Sequence, residues 1–167
     1  GATMTPQATG TCTITASQAA GGNFLAAAGV ARSFAINSTQ TITFNQPAVL
    51  TLGNNVDLTA TASSGLAVSY TSSTTDVCTV SGNTVTSQSA GTCTITASQA
   101  GGGNFLAAAD VPRAFAINST QTITFHQPAE LTLGNNVDLT ATSSSGLAFG
   151  DTSSTTDVRT VTATTVT

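Results

Sequence analysis

The sequence has no lysine, no tryptophan and a single histidine, and charged residues occupy only 6% of its 167 positions. Its three cations are Arg32, Arg113 and Arg159, and the formal net charge is -4. A chain without a basic patch cannot neutralise a row of phosphates, so neither nucleic acid nor an anionic membrane surface is an expected partner.

Long hydrophobic runs are missing as well. No apolar stretch approaches the roughly 18 residues that span a bilayer, and no charged segment followed by an apolar one opens the chain at Gly1. We therefore expect a soluble piece, mature or excised, that does not insert into a membrane. The abundant threonine suits β-strands and disfavours helical bundles and coiled coils.

The most prominent feature of the sequence is an internal repeat. GTCTITASQ at 10–18 recurs at 91–99, and LGNNVDLTAT at 52–61 recurs at 133–142, both with an offset of 81 residues. At that offset 67 of 86 compared positions are identical. This degree of identity indicates a tandem duplication with little divergence.

The position at which the repeat begins allows one complete unit of 81 residues in the chain. If a unit opens at the string STQTITF, residues 38–118 form a complete unit. Residues 1–37 are then the C-terminal half of an earlier unit, and residues 119–167 are the N-terminal half of a later one. We predict three parts with these boundaries.

Apolar and polar residues alternate strictly within the complete unit, as they do in half-buried strands. The pattern predicts about seven short strands, separated by Gly, Asn and Ser turns. Val56–Ala62 is expected to be one of them. We predict an all-β fold, an antiparallel β-sandwich with Greek-key connections. The predicted inward-facing residues are Ile42, Phe44, Val56, Leu58, Ala60, Ala62, Leu66, Val68, Tyr70, Cys78, Val80, Val85, Cys93, Ile95, Ala97, Phe115 and Ile117.

The strings QTITF, LTLGNNVDLTATASSGLAVSYTSS and VCTVSGNTVTSQSAGTCTITASQAGGGNF resemble the bacterial immunoglobulin-like repeats found in tandem in large surface and secreted proteins. The resemblance covers essentially the whole chain. It implies an immunoglobulin-like sandwich, an extracellular or cell-surface location, and a spacer, stalk or adhesive module without catalytic residues. The last half-unit departs from the pattern, since Asp151 and Arg159 stand where the complete unit has Tyr70 and Cys78.

The three cysteines fall into a pair and a remainder. Cys78 and Cys93 face inward on neighbouring predicted strands, so we expect a disulfide that stabilises by about 3 kcal/mol. A metal or redox site is the alternative, but the CxxC spacing and a neighbouring histidine are missing. Cys12 corresponds to Cys93, but the position that corresponds to Cys78 in the next unit is occupied by Arg159. Cys12 is therefore interpreted as a buried inert thiol, a free thiol or the site of an intermolecular bond. Asp151 and Arg159 are a hypothetical buried pair in a completed half-unit. We class these two residues and Cys12 as candidate assembly residues.

Ionisable side chains are too scarce for an active site, which needs a cleft with several perturbed groups. His126 and Glu130 are close in sequence but supply too few ligands for zinc. Asp57 and Asp138 follow Asn-Asn pairs without the spacing of a calcium loop, so we interpret them as solvated residues beside turns. The sequence predicts no enzyme activity, no cofactor and no metal.

These features predict a non-catalytic extracellular structural module that builds an elongated rod or filament. Connections such as 36–39 are too short for much hinge motion. The module is interpreted either as the stalk or spacer of a surface adhesin or as a head-to-tail fibre subunit.

The expected partners are neighbouring copies of itself or adjacent immunoglobulin-like repeats. A fibre would grow if residues 119–167 of one chain complete residues 1–37 of the next, because such a contact is heterologous. The other interpretation of the half-units is a piece of a longer tandem array.

The alternative function is an adhesive binding module that recognises glycan or protein through loops at the ends of the sandwich. Loops commonly carry such functions. The loop at 99–110, however, is rich in Gly and Ala and has none of the Tyr, Trp or Arg anchors that dominate binding energy. Asn37 and Asn118 also match the glycosylation sequon N-x-S/T.

Overall fold

The computed structural model describes residues 2–128, 130–148 and 150–154. This part of the chain is all-β, with thirteen strands and no helix. It accordingly has no helix that is long and apolar enough to cross a membrane. The strands are β1 (Gly10–Gln18), β2 (Ala27–Ile36), β3 (Ile42–Phe44), β4 (Leu50–Thr51), β5 (Asn55–Asp57), β6 (Ala60–Ala62), β7 (Ser69–Ser72), β8 (Cys78–Ser81), β9 (Thr84–Ser87), β10 (Gly91–Ser98), β11 (Val111–Asn118), β12 (Ile123–Phe125) and β13 (Ala141–Ser143).

The chain divides into two compact units, Gly1–Asn118 and Ser119–Thr167. The first unit contains a long antiparallel hairpin, β1–β2, which we call the head hairpin, and the complete repeat at 38–118. The second unit contains the short antiparallel hairpin β12–β13, which we call the tail hairpin.

The complete repeat is built from three sheets. Their strand orders are β4-β11-β10-β7, β5-β9-β8 and β3-β6. One buried cluster takes residues from all three sheets, including Phe44, Val85 and Ile95. Multiple sheets around a common apolar core are consistent with the predicted β-sandwich. The one parallel pair, β4 with β11, is a departure from the antiparallel expectation.

The repeat has nine strands where alternation predicted about seven, and the segment Val56–Ala62 accounts for part of the difference. It was expected to be one strand, but β5 pairs with β9 and β6 pairs with β3. The chain changes sheets at Leu58, whose backbone N–H donates to Asn83 O at 2.7 Å. Leu58 itself is buried, so the alternation of inward residues continues through the break. Periodicity predicts the face of a residue but not the strand with which it pairs.

Candidate functional site

The disulfide between Cys78 and Cys93 joins two sheets. Cys78 lies on β8 and Cys93 on β10, their Cα atoms are 5.7 Å apart, and neither residue is exposed. The sequence placed these cysteines on neighbouring strands, whereas the structure places them across the core from one another. The bond therefore links the sheets covalently and closes a loop of 15 residues, a constraint that stabilises by about 3 kcal/mol.

A buried polar network, which sequence reasoning missed, fastens the start of the complete repeat to the loop after β10. The Gln40 amide group donates to Gln99 Oε1 and, at 2.7 Å, to Leu106 O. Ser64 Oγ donates to Gln40 Oε1, and the Gly101 N–H donates to Gln99 Oε1 at 2.6 Å. Both glutamines are buried, so these partners satisfy groups that would otherwise lose their hydrogen bonds to water. Their only sequence signal is recurrence after 81 residues, which most of the repeat shares.

A second set of bonds holds the sheet β3-β6 against β11. Arg113 Nε donates to Phe44 O at 3.1 Å, and Gln46 Nε2 donates to Ala114 O at 2.7 Å. Phe44 packs into the core and lies against Tyr70, with ring centroids 5.6 Å apart. Tyr70 is half-buried. Strand β3 therefore packs on β10 and β11 and covers part of their apolar face.

The head hairpin has the register of β10–β11. Cys12 pairs with Phe34 as Cys93 pairs with Phe115, and seven consecutive pairs agree at the 81-residue offset. Its apolar face is nevertheless uncovered. Ile14 is 44% exposed and Phe34 is 41% exposed, whereas their counterparts in the complete repeat are 0% and 5% exposed.

The tail hairpin repeats the register of β3–β6 in the same way. Ile123 pairs with Ser143 and Phe125 with Ala141, matching the pairs that Ile42 and Phe44 make in the complete repeat. Phe125 is 54% exposed, whereas Phe44 is 3% exposed. The described part of the chain thus displays two apolar sheet faces whose counterparts cover one another in the complete repeat.

The candidate assembly residues predicted from the sequence are only partly brought together. Cys12 is a half-buried free cysteine on the uncovered face of the head hairpin. Asp151 is half-buried. Arg159 lies outside the described residues, so the suggested pair with Asp151 remains a prediction.

The carboxylates and the histidine considered in the sequence as metal or catalytic candidates lie at the surface. His126 and Glu130 are exposed, and the Asp57 carboxylate accepts a bond from Thr84 Oγ1 at 2.6 Å. Asp138 is exposed. Among the residues that the structure describes, no three His, Cys, Asp or Glu side chains are grouped to hold a metal ion. Two shallow hollows meet at Tyr70 and are lined by strands β3, β6, β7 and β8 and the residues beside them.

Comparison of the chain with protein-family models and with curated protein sequences found no match.

Proposed function

We propose that the chain is a non-catalytic extracellular structural module, of immunoglobulin-like type, that builds an elongated rod or filament. Its place is in the stalk or spacer of a surface adhesin or in a head-to-tail fibre. The observation that carries this proposal is the parallel pairing of β4 with β11, because it suits the repeat to bearing tension. The disulfide is in keeping with an oxidising, extracellular environment.

The pairing of β4 with β11 resists a pull on the two ends of the repeat. Leu50 pairs with Ile117 and Thr51 with Asn118, and the Leu52 N–H donates to Asn118 O at 2.8 Å. Tension draws β4 toward its N-terminal end and β11 toward its C-terminal end. Because the strands run parallel, they slide past one another, and their hydrogen bonds are loaded together rather than one after another.

Both ends of the repeat are also fixed to its body. The Ser38 N–H donates to Asn104 O at 2.8 Å, and the Leu106 N–H donates to Ser38 O at 2.9 Å. At the other end, Asn118 is held by the bond from Leu52. These contacts support the expectation that a connection between consecutive units has little hinge freedom.

Single-molecule pulling of the full chain from its ends tests the proposal. We expect one main unfolding step, from the complete repeat. Reduction should lengthen this step by about 50 Å, because the disulfide shields about 15 residues that otherwise extend by about 3.4 Å each. Leu52→Pro removes the N–H that bonds to Asn118 and should lower the unfolding force. The matched control is Leu133→Pro, at the equivalent exposed position of the second unit.

Two results would contradict the proposal that the repeat bears tension. One is extension of the repeat without a discrete step. The other is an unfolding force that Leu52→Pro and Leu133→Pro leave equally unchanged.

The alternative, an adhesive module that uses its end loops, has less support. The loop after β10 contributes Leu106, which is 51% exposed, and no aromatic anchor other than Phe105, which is half-buried. The hollows at Tyr70 lie along strands rather than at the ends of the repeat.

A further inference from the structure

We propose that the tail hairpin of one chain docks on the head hairpin of a second copy, in the way that β3 packs on β10 and β11 in the complete repeat. The partner of the uncovered head face is thus a second copy of this chain. This inference rests on the proposed function, since it describes how rod modules join.

The complete repeat shows what this face binds. Strand β3 contacts both β10 and β11, and Phe44 reaches the buried cluster that holds Ile95 and Phe115. Hydrogen bonds from Arg113 and Gln46 hold β3 in place, in addition to the apolar contacts. A docked copy has to supply equivalents of the apolar contacts and of the hydrogen bonds.

The head hairpin keeps the arginine that bonds to the covering strand in the complete repeat. Arg32 corresponds to Arg113, and its Nη1 bonds to Ala31 O as Arg113 Nη1 bonds to Pro112 O. No bond from Arg32 matching that of Arg113 to Phe44 O is formed within the described residues. Its guanidinium is therefore oriented along the hairpin with donors left for a carbonyl of an incoming strand.

The tail hairpin already forms the hydrogen bonds that order β3 and β6 in the complete repeat. Ser145 Oγ donates to Gln121 Oε1 at 2.5 Å, as Ser64 does to Gln40, which leaves the Gln121 amide group as a donor. The Thr122 N–H donates to Ser144 Oγ at 2.9 Å, the counterpart of the bond from Thr41 to Ser63. Docking would place Phe125 on the head face, and the preformed hairpin lowers the ordering cost of that step.

The layout of the complete repeat favours a second copy over closure within one chain. Its first residue, Ser38, pairs with Phe105 in the loop before β11, whereas Asn118 ends β11. Strand β11, with 8 residues, spans about 27 Å. Only four residues connect β11 to β12, and they reach at most about 14 Å. The chain therefore enters the complete repeat at Ser38 and leaves it at Asn118, near opposite ends of β11.

A cysteine substitution reports this docking directly. Cys12 is the counterpart of Cys93, and Arg159 occupies the sequence position that corresponds to Cys78. In the variant Arg159→Cys, docking between copies should form a Cys12 bond to the next chain under mild oxidation with glutathione disulfide. Non-reducing electrophoresis should then show a ladder of linked multimers that grows with protein concentration. Adding Phe125→Ala should reduce the linked fraction at limiting concentration at least about tenfold, and the matched control Thr124→Ala, on the opposite face of β12, should not.

The other outcomes overturn the proposal. Multimers that persist when Cys12→Ser is added come from contacts other than this docking. A monomer with an internal bond between the two cysteines means closure within one chain, and failure to link through Cys12 means no docking. Neither of these results changes the unfolding step of the complete repeat, so the proposed structural function is judged separately by pulling. Conversely, a ladder of multimers together with extension of the repeat without a discrete step would support the docking and contradict the proposal that the repeat bears tension.

Discussion

The string GTCTITASQ occurs twice in this molecule, once as β1 and once as β10 with the residue after it, and the two copies pair with their following strands in the same register. In β10 every second residue from Cys93 to Ala97 is fully buried, but the corresponding residue Ile14 in β1 is 44% exposed. Two strands of the same sequence thus pair in the same register with the strands that follow them, and their burial depends on whether another layer is present. Local pattern fixes pairing between neighbouring strands, while the core requires the more distant strands β3, β8 and β9.

The largest expected effect comes from truncating the same residue in the two copies. Ile95→Ala leaves a cavity in the core and should destabilise the complete repeat by about 2–5 kcal/mol. Ile14→Ala, the matched control, should change its stability by no more than about 0.5 kcal/mol in dilute solution. Urea unfolding followed by the fluorescence of Tyr70, the one tyrosine of the chain, measures both. Equal shifts of the midpoint would mean that the head hairpin packs on the repeat.

A smaller effect is expected in the loops that follow β1 and β10, where the repeats differ. Gly101 has φ of +86°, and a Cβ there would approach Ala107 N and Phe105 O to 2.8 Å. Gly101→Ala should therefore cost at least about 1–3 kcal/mol. The head loop has Ala20 at this position, and Phe24 in that loop is 83% exposed.

The reverse substitution serves as the control for this pair. Ala20→Gly should change the stability of the dilute chain by less than about 1 kcal/mol. In the docking assay it should raise the linked fraction, because it allows the head loop to close as the loop after β10 does. Tolerance of Gly101→Ala with an unchanged urea midpoint would show that the loop conformation is not required by the fold.

The sequence predicted the all-β class and the buried face of most strands of the complete repeat, because alternation reports directly on sidedness. It also singled out Cys78 and Cys93, which face inward. It missed the change of sheets at Leu58 and the parallel strand β4, since pairing between distant strands leaves no periodic signal. Gln40 and Gln99 were missed because a polar residue is buried only where its partners converge, which depends on the folded loop. The exposure of Ile14 and Phe125 was beyond pattern analysis, because an apolar face looks the same in sequence whether it is covered or not.

Hydrogen exchange of the amides in β1 and β10, resolved by NMR in one sample, tests the central claim that coverage alone distinguishes the two copies. In dilute chain we expect the β10 amides to be protected by nearly the whole unfolding free energy and the β1 amides to exchange at least about a hundredfold faster. Raising the protein concentration should slow exchange in β1 and leave β10 unchanged. Equal protection of the two strands in dilute solution would contradict the account.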